Sequence, residues 1–171
     1  MRIKKLIPVF SILLILLSLI LYTGYCLFIS PGVTPVSGRA VVYIPDGASY
    51  EQAMDSVNTS LSVKNQRIFQ WIAKKKNYPA SVKPGRYVFD RPLSYNALIN
   101  ILRGGKQAPV KITFSRIRTL NELAGKIGGQ IEADSSGIID FLSDQENYSG
   151  DGFKKEDVIA VFIPNTYEFY W

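Results

Sequence analysis

Leu102-Arg103-Gly104-Gly105-Lys106-Gln107-Ala108-Pro109-Val110-Lys111-Ile112-Thr113-Phe114 is the stretch where the chain changes its period. Before it, Ser94 opens a helix with Leu98, Ile101 and Leu102 on the apolar side, and Gly104-Gly105 ends it. After it, Val110, Ile112 and Phe114 alternate with Lys111 and Thr113, the pattern of a half-buried strand. This predicts an α+β chain with a boundary between about residues 106 and 116. Gly104-Gly105-Lys106 is no phosphate loop, because it lacks the upstream glycine and follows a helix where a P-loop follows a strand.

Working back towards the N-terminus, Lys83-Pro84-Gly85-Arg86-Tyr87-Val88-Phe89 reads as a turn feeding a strand. A helix is expected over about Lys64 to Lys76, with Ile68, Phe69, Trp71 and Ile72 on one face. Lys74, Lys75 and Lys76 suit its C-terminal end, where they complement the helix dipole. Trp71, Ile68, Leu98 and Leu102 are expected in one core. Ser49 and Gln52 have capping-box spacing before a short helix from Tyr50 to Val57. Arg39 to Ile44 is a β-rich run turned by Pro45-Asp46-Gly47.

Working forward, Thr119 and Glu122 form a second capping-box match. They open a helix to about Ile127 that buries Leu120, Leu123 and Ile127, with Gly128-Gly129 as its stop. Ser136 to Leu142 is a further short helix, Asn147 to Gly152 a polar linker, and Lys154 to Ala160 a last helical turn.

Leu6 to Ile29 is a 24-residue run with no charge, preceded by Arg2, Lys4 and Lys5. Its length and flanks predict a single N-terminal transmembrane helix with residues 1–5 in the cytoplasm and the bulk of the chain outside. A cleaved signal peptide fits less well, since its apolar region runs about 7–15 residues and ends in small residues. Residues 30–39, rich in proline and glycine, are expected to be an extended linker.

The formal net charge is +6, of which Arg2, Lys4 and Lys5 supply three. The remaining excess is scattered, which argues against nucleic acid and suits an acidic cell-wall polymer. The sequence has no histidine and one cysteine, Cys26. Ser-His and Cys-His machineries are thereby excluded, a zinc site is not expected, and carboxylates are the candidate agents. No cofactor or metal is expected.

The blocks Ile44-Pro45-Asp46-Gly47-Ala48-Ser49, Lys83 to Tyr87, Leu102 to Phe114, Arg118 to Ala124 and Phe162-Ile163-Pro164-Asn165-Thr166-Tyr167 resemble, in order, segments of the YceG-like family. These are the endolytic murein transglycosylases of the MltG type. The resemblance implies a small LysM-like β-α-α-β module over 40–106. Residues 107–171 would then be the truncated start of an α+β catalytic domain, in the N-terminal part of a longer protein. It also implies a reaction: cleavage of the MurNAc–GlcNAc bond of nascent peptidoglycan without water, leaving 1,6-anhydro ends. One carboxyl must protonate the leaving oxygen, and a carboxylate must take the proton of the C6 hydroxyl. The implied partners are peptidoglycan glycan strands, the membrane and peptidoglycan synthases, at the inner membrane.

Two departures from the family pattern bear on the site. Ile159 and Ala160 stand where the family carries Glu-Gly, and Asn165 replaces an Asp. Glu156, Asp157 and Glu168 are the nearby carboxyls. Glu168 lies among Tyr167, Phe169, Tyr170 and Trp171, a setting that suits an acid and offers faces for sugar stacking. Glu168 is therefore the candidate catalytic acid, with Asn165 and Tyr167 ordering the loop or the sugar. A non-catalytic wall-associated module, or a scaffold of division or elongation complexes, are the other readings.

Overall fold

The computed structural model describes residues 3–152, 154 and 157–171. Met1, Arg2 and Glu156 lie outside them, and with them part of the expected cytoplasmic tail and one candidate carboxyl. The chain is α+β and divides into two compact units, residues 1–106 and 107–171.

Unit 1 begins with α1, Ile3–Phe28. The expected transmembrane helix is overturned: among the described residues no helix is long and apolar enough to cross a membrane. The aliphatic run of α1 is interrupted by Ser11, Ser18 and Gly24. Its last turns bring Tyr22, Thr23 and Tyr25 in place of aliphatic residues.

The 30–39 stretch is not a free tether. Val33–Pro35 forms β1, which pairs antiparallel with β3, Leu61–Val63. Val33 is buried, and Gly32 lies against the Tyr95 ring so closely that a Cβ would overlap it. Such three-residue strands carry too little alternation to be read from sequence.

The remaining order is β2 (Ala40–Ile44), α2 (Tyr50–Ser60), α3 (Gln66–Lys75), β4 (Gly85–Phe89) and α4 (Tyr95–Gly104). β2 and β4 pair antiparallel, Val42 opposite Tyr87; the expected β-α-α-β order is interrupted by β3, which falls between α2 and α3. The capping box at Ser49 is complete: its Oγ accepts from the Gln52 N–H and its N–H donates to Gln52 Oε1 at 2.8 Å. Asn65 Oδ1 and Ser94 Oγ cap α3 and α4 with a single bond each, accepting from the Ile68 and Ala97 N–H groups. Gly105 ends α4 in the left-handed region at φ 64°, where glycine is favoured.

Val42, Ile44, Phe69, Ile72, Leu98 and Leu102 are fully buried together, and Ile68 packs against them. Trp71 does not join them: it is 49% exposed, a correction to the expected core. The buried stripe of α3 is Phe69, Ile72 and Ala73, which rotates Trp71 to the water side. Tyr87 is buried and donates to the Lys83 carbonyl at 3.0 Å; burial pushes its hydroxyl up to about 12.

Unit 2 is built on β5 (Val110–Phe114), α5 (Leu120–Gly128), α6 (Ser135–Ser143), the short α7 (Val158–Val161) and β6 (Asn165–Phe169). Its first and last strands pair antiparallel. Its core is Ile112, Phe114, Leu123 and Ile127. Thr119 Oγ1 accepts from the Glu122 N–H at 3.1 Å, while Glu122 reaches back to the N–H of Arg118 at 2.9 Å.

Candidate functional site

The Phe162–Tyr167 signature folds onto the end of β5. The Phe114 ring meets Phe162, Tyr167 and Phe169 with centroids 6.0, 5.4 and 6.2 Å away. Such tilted and edge-on pairs exclude water and fix the strand ends. The Tyr167 hydroxyl donates to the Ile163 carbonyl at 3.0 Å, and Asn165 Oδ1 accepts from the Thr166 N–H at 2.8 Å. Both expected substrate residues therefore order the turn that leads into β6.

Strand alternation separates them from Glu168. Tyr167 and Phe169 face the unit 2 core, and Thr166 and Glu168 face the other way. Glu168 is exposed at its register position opposite Lys111, with Glu168 Oε1 3.4 Å from Lys111 Nζ. Tyr167 and Phe169 do not surround it as expected, because neighbours in sequence lie on opposite faces of a strand. Thr113 and Thr166 hydroxyls meet at 2.8 Å beside this ion pair. The result is a polar strip of two hydroxyls, an ammonium and a carboxylate. It can exchange hydrogen bonds with a sugar.

Ile159 is half-buried in α7 beside buried Val158. Asp157 precedes that helix, exposed and without a capping hydrogen bond. No charged side chain among the described residues is buried. Asp134 caps α6; the Gly137 N–H and then the Ser136 hydroxyl hold its carboxyl below the usual value. Among the described residues no cluster of histidine, cysteine and carboxylate side chains could hold a metal.

Two hollows in unit 2 were not foreseen. A small one of about 190 Å³ is lined by Phe114, Ser115, Arg116, Ile117, Phe162 and Pro164. A larger one of about 520 Å³ runs between Ile127, Ile138, Phe141, Leu142, Phe162 and Phe169, and its walls are almost wholly apolar. The sequence signal for the first was Ser-Arg directly after the alternating strand. For the second it was Ile138, Phe141 and Leu142 recurring at helical spacing.

The two units define an α+β protein whose second unit carries an aromatic signature strand. The model of the YceG-like family matches residues 42–171, and the chain belongs to that family, which has a murein transglycosylase-type role. The crystal structure of a YceG-like protein from Listeria monocytogenes is similar over 77% of this chain at 20% identity, with a TM-score of 0.37. The match covers 48% of that protein, so the chain spans about half its length. No curated protein matches the chain.

Proposed function

We propose that the chain serves an endolytic lytic transglycosylase, cutting MurNAc–GlcNAc bonds of nascent glycan strands and leaving 1,6-anhydroMurNAc ends. The observation that carries this reading is the family match over residues 42–171, which takes in both units and the Phe162–Tyr167 signature. In this reading the strand lies over the polar strip of β5 and β6. A sugar there would shed water from the Lys111–Glu168 pair and hydrogen-bond the Thr113 and Thr166 hydroxyls. Glu168 is the carboxyl proposed to protonate the leaving oxygen. The C6 hydroxyl of MurNAc then closes the ring as a carboxylate takes its proton, so no second carboxylate is needed to activate water.

The test is release of anhydro-ended glycan from uncrosslinked peptidoglycan. Glu168→Gln should lower the rate by about 10²–10⁴-fold, the usual cost of a removed general acid. Full activity in that variant would move the acid elsewhere. A non-catalytic wall-associated module is the second reading, favoured by Ile159 at the family's acid position and by the absence of any buried carboxylate among the described residues. It predicts binding of peptidoglycan with no anhydro ends at all.

A further inference from the structure

The outer face of α3 in unit 1 carries a stripe that this reading leaves unused. Arg67, Gln70, Trp71, Lys74 and Lys75 recur at helical spacing, and all five are exposed. Phe69, Ile72 and Ala73 behind them are buried in the core, which fixes the direction of the stripe. Lys75 Nζ sits 5.9 Å from the centre of the Trp71 ring, within cation–π range. The helix contains no acidic residue, and among the described residues Arg67, Lys74 and Lys75 make no salt bridge. An indole left half in water between unpaired cations forgoes burial that a core position would give it.

We propose that this stripe binds a carboxylate-bearing glycan: a pyranose ring stacks on Trp71, and acidic substituents meet Arg67 on one side and Lys74 and Lys75 on the other. Arg67 and Lys74 stand about 10 Å apart along the helix axis, so the stripe can follow more than one sugar. The charges select acidic substituents, and the ring selects a flat apolar sugar face. A lipid surface fits less well. Interfacial helices insert an apolar face, and that of α3 is already spent on the core. Peptidoglycan as the source of such a glycan rests on the proposed function; the surface itself does not.

The test is co-sedimentation of the full chain with insoluble peptidoglycan, with chitin as a neutral glycan, and with phosphatidylglycerol vesicles. The parent chain should bind peptidoglycan more tightly than chitin. Trp71→Ala should weaken that binding roughly tenfold, and Trp71→Phe should restore much of it. A triple Arg67→Ala, Lys74→Ala, Lys75→Ala variant should weaken it too and flatten its dependence on salt. Unchanged urea midpoints would confirm that these exposed positions leave the fold intact. Equal peptidoglycan binding by parent and Trp71→Ala overturns the proposal. So does failure of the parent to bind, or equal binding to chitin, or a loss confined to vesicles. Binding lost on Trp71→Ala with no anhydro ends from the parent sinks the catalytic reading and leaves this one standing. Anhydro ends with binding unchanged in Trp71→Ala does the reverse.

Discussion

Phe114→Ala is the sharpest probe of unit 2. Phe114 is 1% exposed, ends β5, and touches the rings of Phe162, Tyr167 and Phe169. Removing a buried phenylalanine costs about 3–5 kcal/mol, and the three aromatic pairs place this site in the upper half of that range. With a urea slope near 1–1.5 kcal/mol/M for a small unit, a loss of about 4 kcal/mol moves the midpoint by roughly 3 M. Unit 2 should then be unfolded before urea is added. Phe114→Leu keeps the apolar volume but loses the ring pairs, so it should cost about 1–1.5 kcal/mol and move the midpoint by about 1 M. The two tryptophans separate the units: Trp171 reports on unit 2 in a Trp71→Phe background, and Trp71 reports on unit 1 in a Trp171→Phe background. A loss under about 1 kcal/mol for Phe114→Ala in the Trp171 signal would refute the packing argument. An equal shift in the Trp71 signal would refute the independence of the effect.

Other outcomes follow from single contacts. Glu168→Gln should change stability by less than about 1 kcal/mol in urea unfolding, since its ion pair with Lys111 is exposed on both sides. Tyr87 has a folded-state value above the ordinary 10.0, so its contribution is complete below about pH 10 and fades as pH rises towards 12; Tyr87→Phe should reduce the alkaline loss and itself cost about 1 kcal/mol for the missing hydrogen bond to Lys83. Asp134 is shifted the other way, so its support of α6 is present above the unfolded value near 3.8 and is lost as pH falls through the lower folded value. Asp134→Asn, a cap without the charge, should remove that acid dependence in circular dichroism. Gly32→Ala should cost about 1–3 kcal/mol, because the new methyl would overlap the Tyr95 ring.

What could be read from the sequence was what is local. The caps at Ser49 and Thr119 rest on residues three apart, and both form. The period change between Gly105 and Val110 marks a real helix end and strand start. Trp71 was misplaced because Ile68, Phe69, Trp71 and Ile72 span more than one face, and only packing decides which part turns inward. The setting of Glu168 is hidden in the sequence because neighbours in sequence are not neighbours in space. Asn165 to Phe169 alternates, and period two sends Tyr167 and Phe169 away from it. Nothing near residue 168 announces Lys111 as its partner, since that pairing belongs to a ladder between distant segments.

That ladder also sets an order of events during synthesis. β5 cannot pair until β6, some fifty residues later, has left the ribosome. Until then Ile112 and Phe114 have no strand against which to bury, and the loop between the two strands must close at an entropic cost before the ring contacts offset it. β2 and β4 of unit 1 are complete once Phe89 has emerged. Unit 1 is therefore expected to be folded while unit 2 is still an open chain with exposed aromatics. Slow closure of this kind is where a growing chain is most open to proteases and to aggregation. Ribosome-bound chains arrested with Lys106, or with Phe169, already clear of the exit tunnel should differ accordingly, the first resistant to protease over residues 40–106.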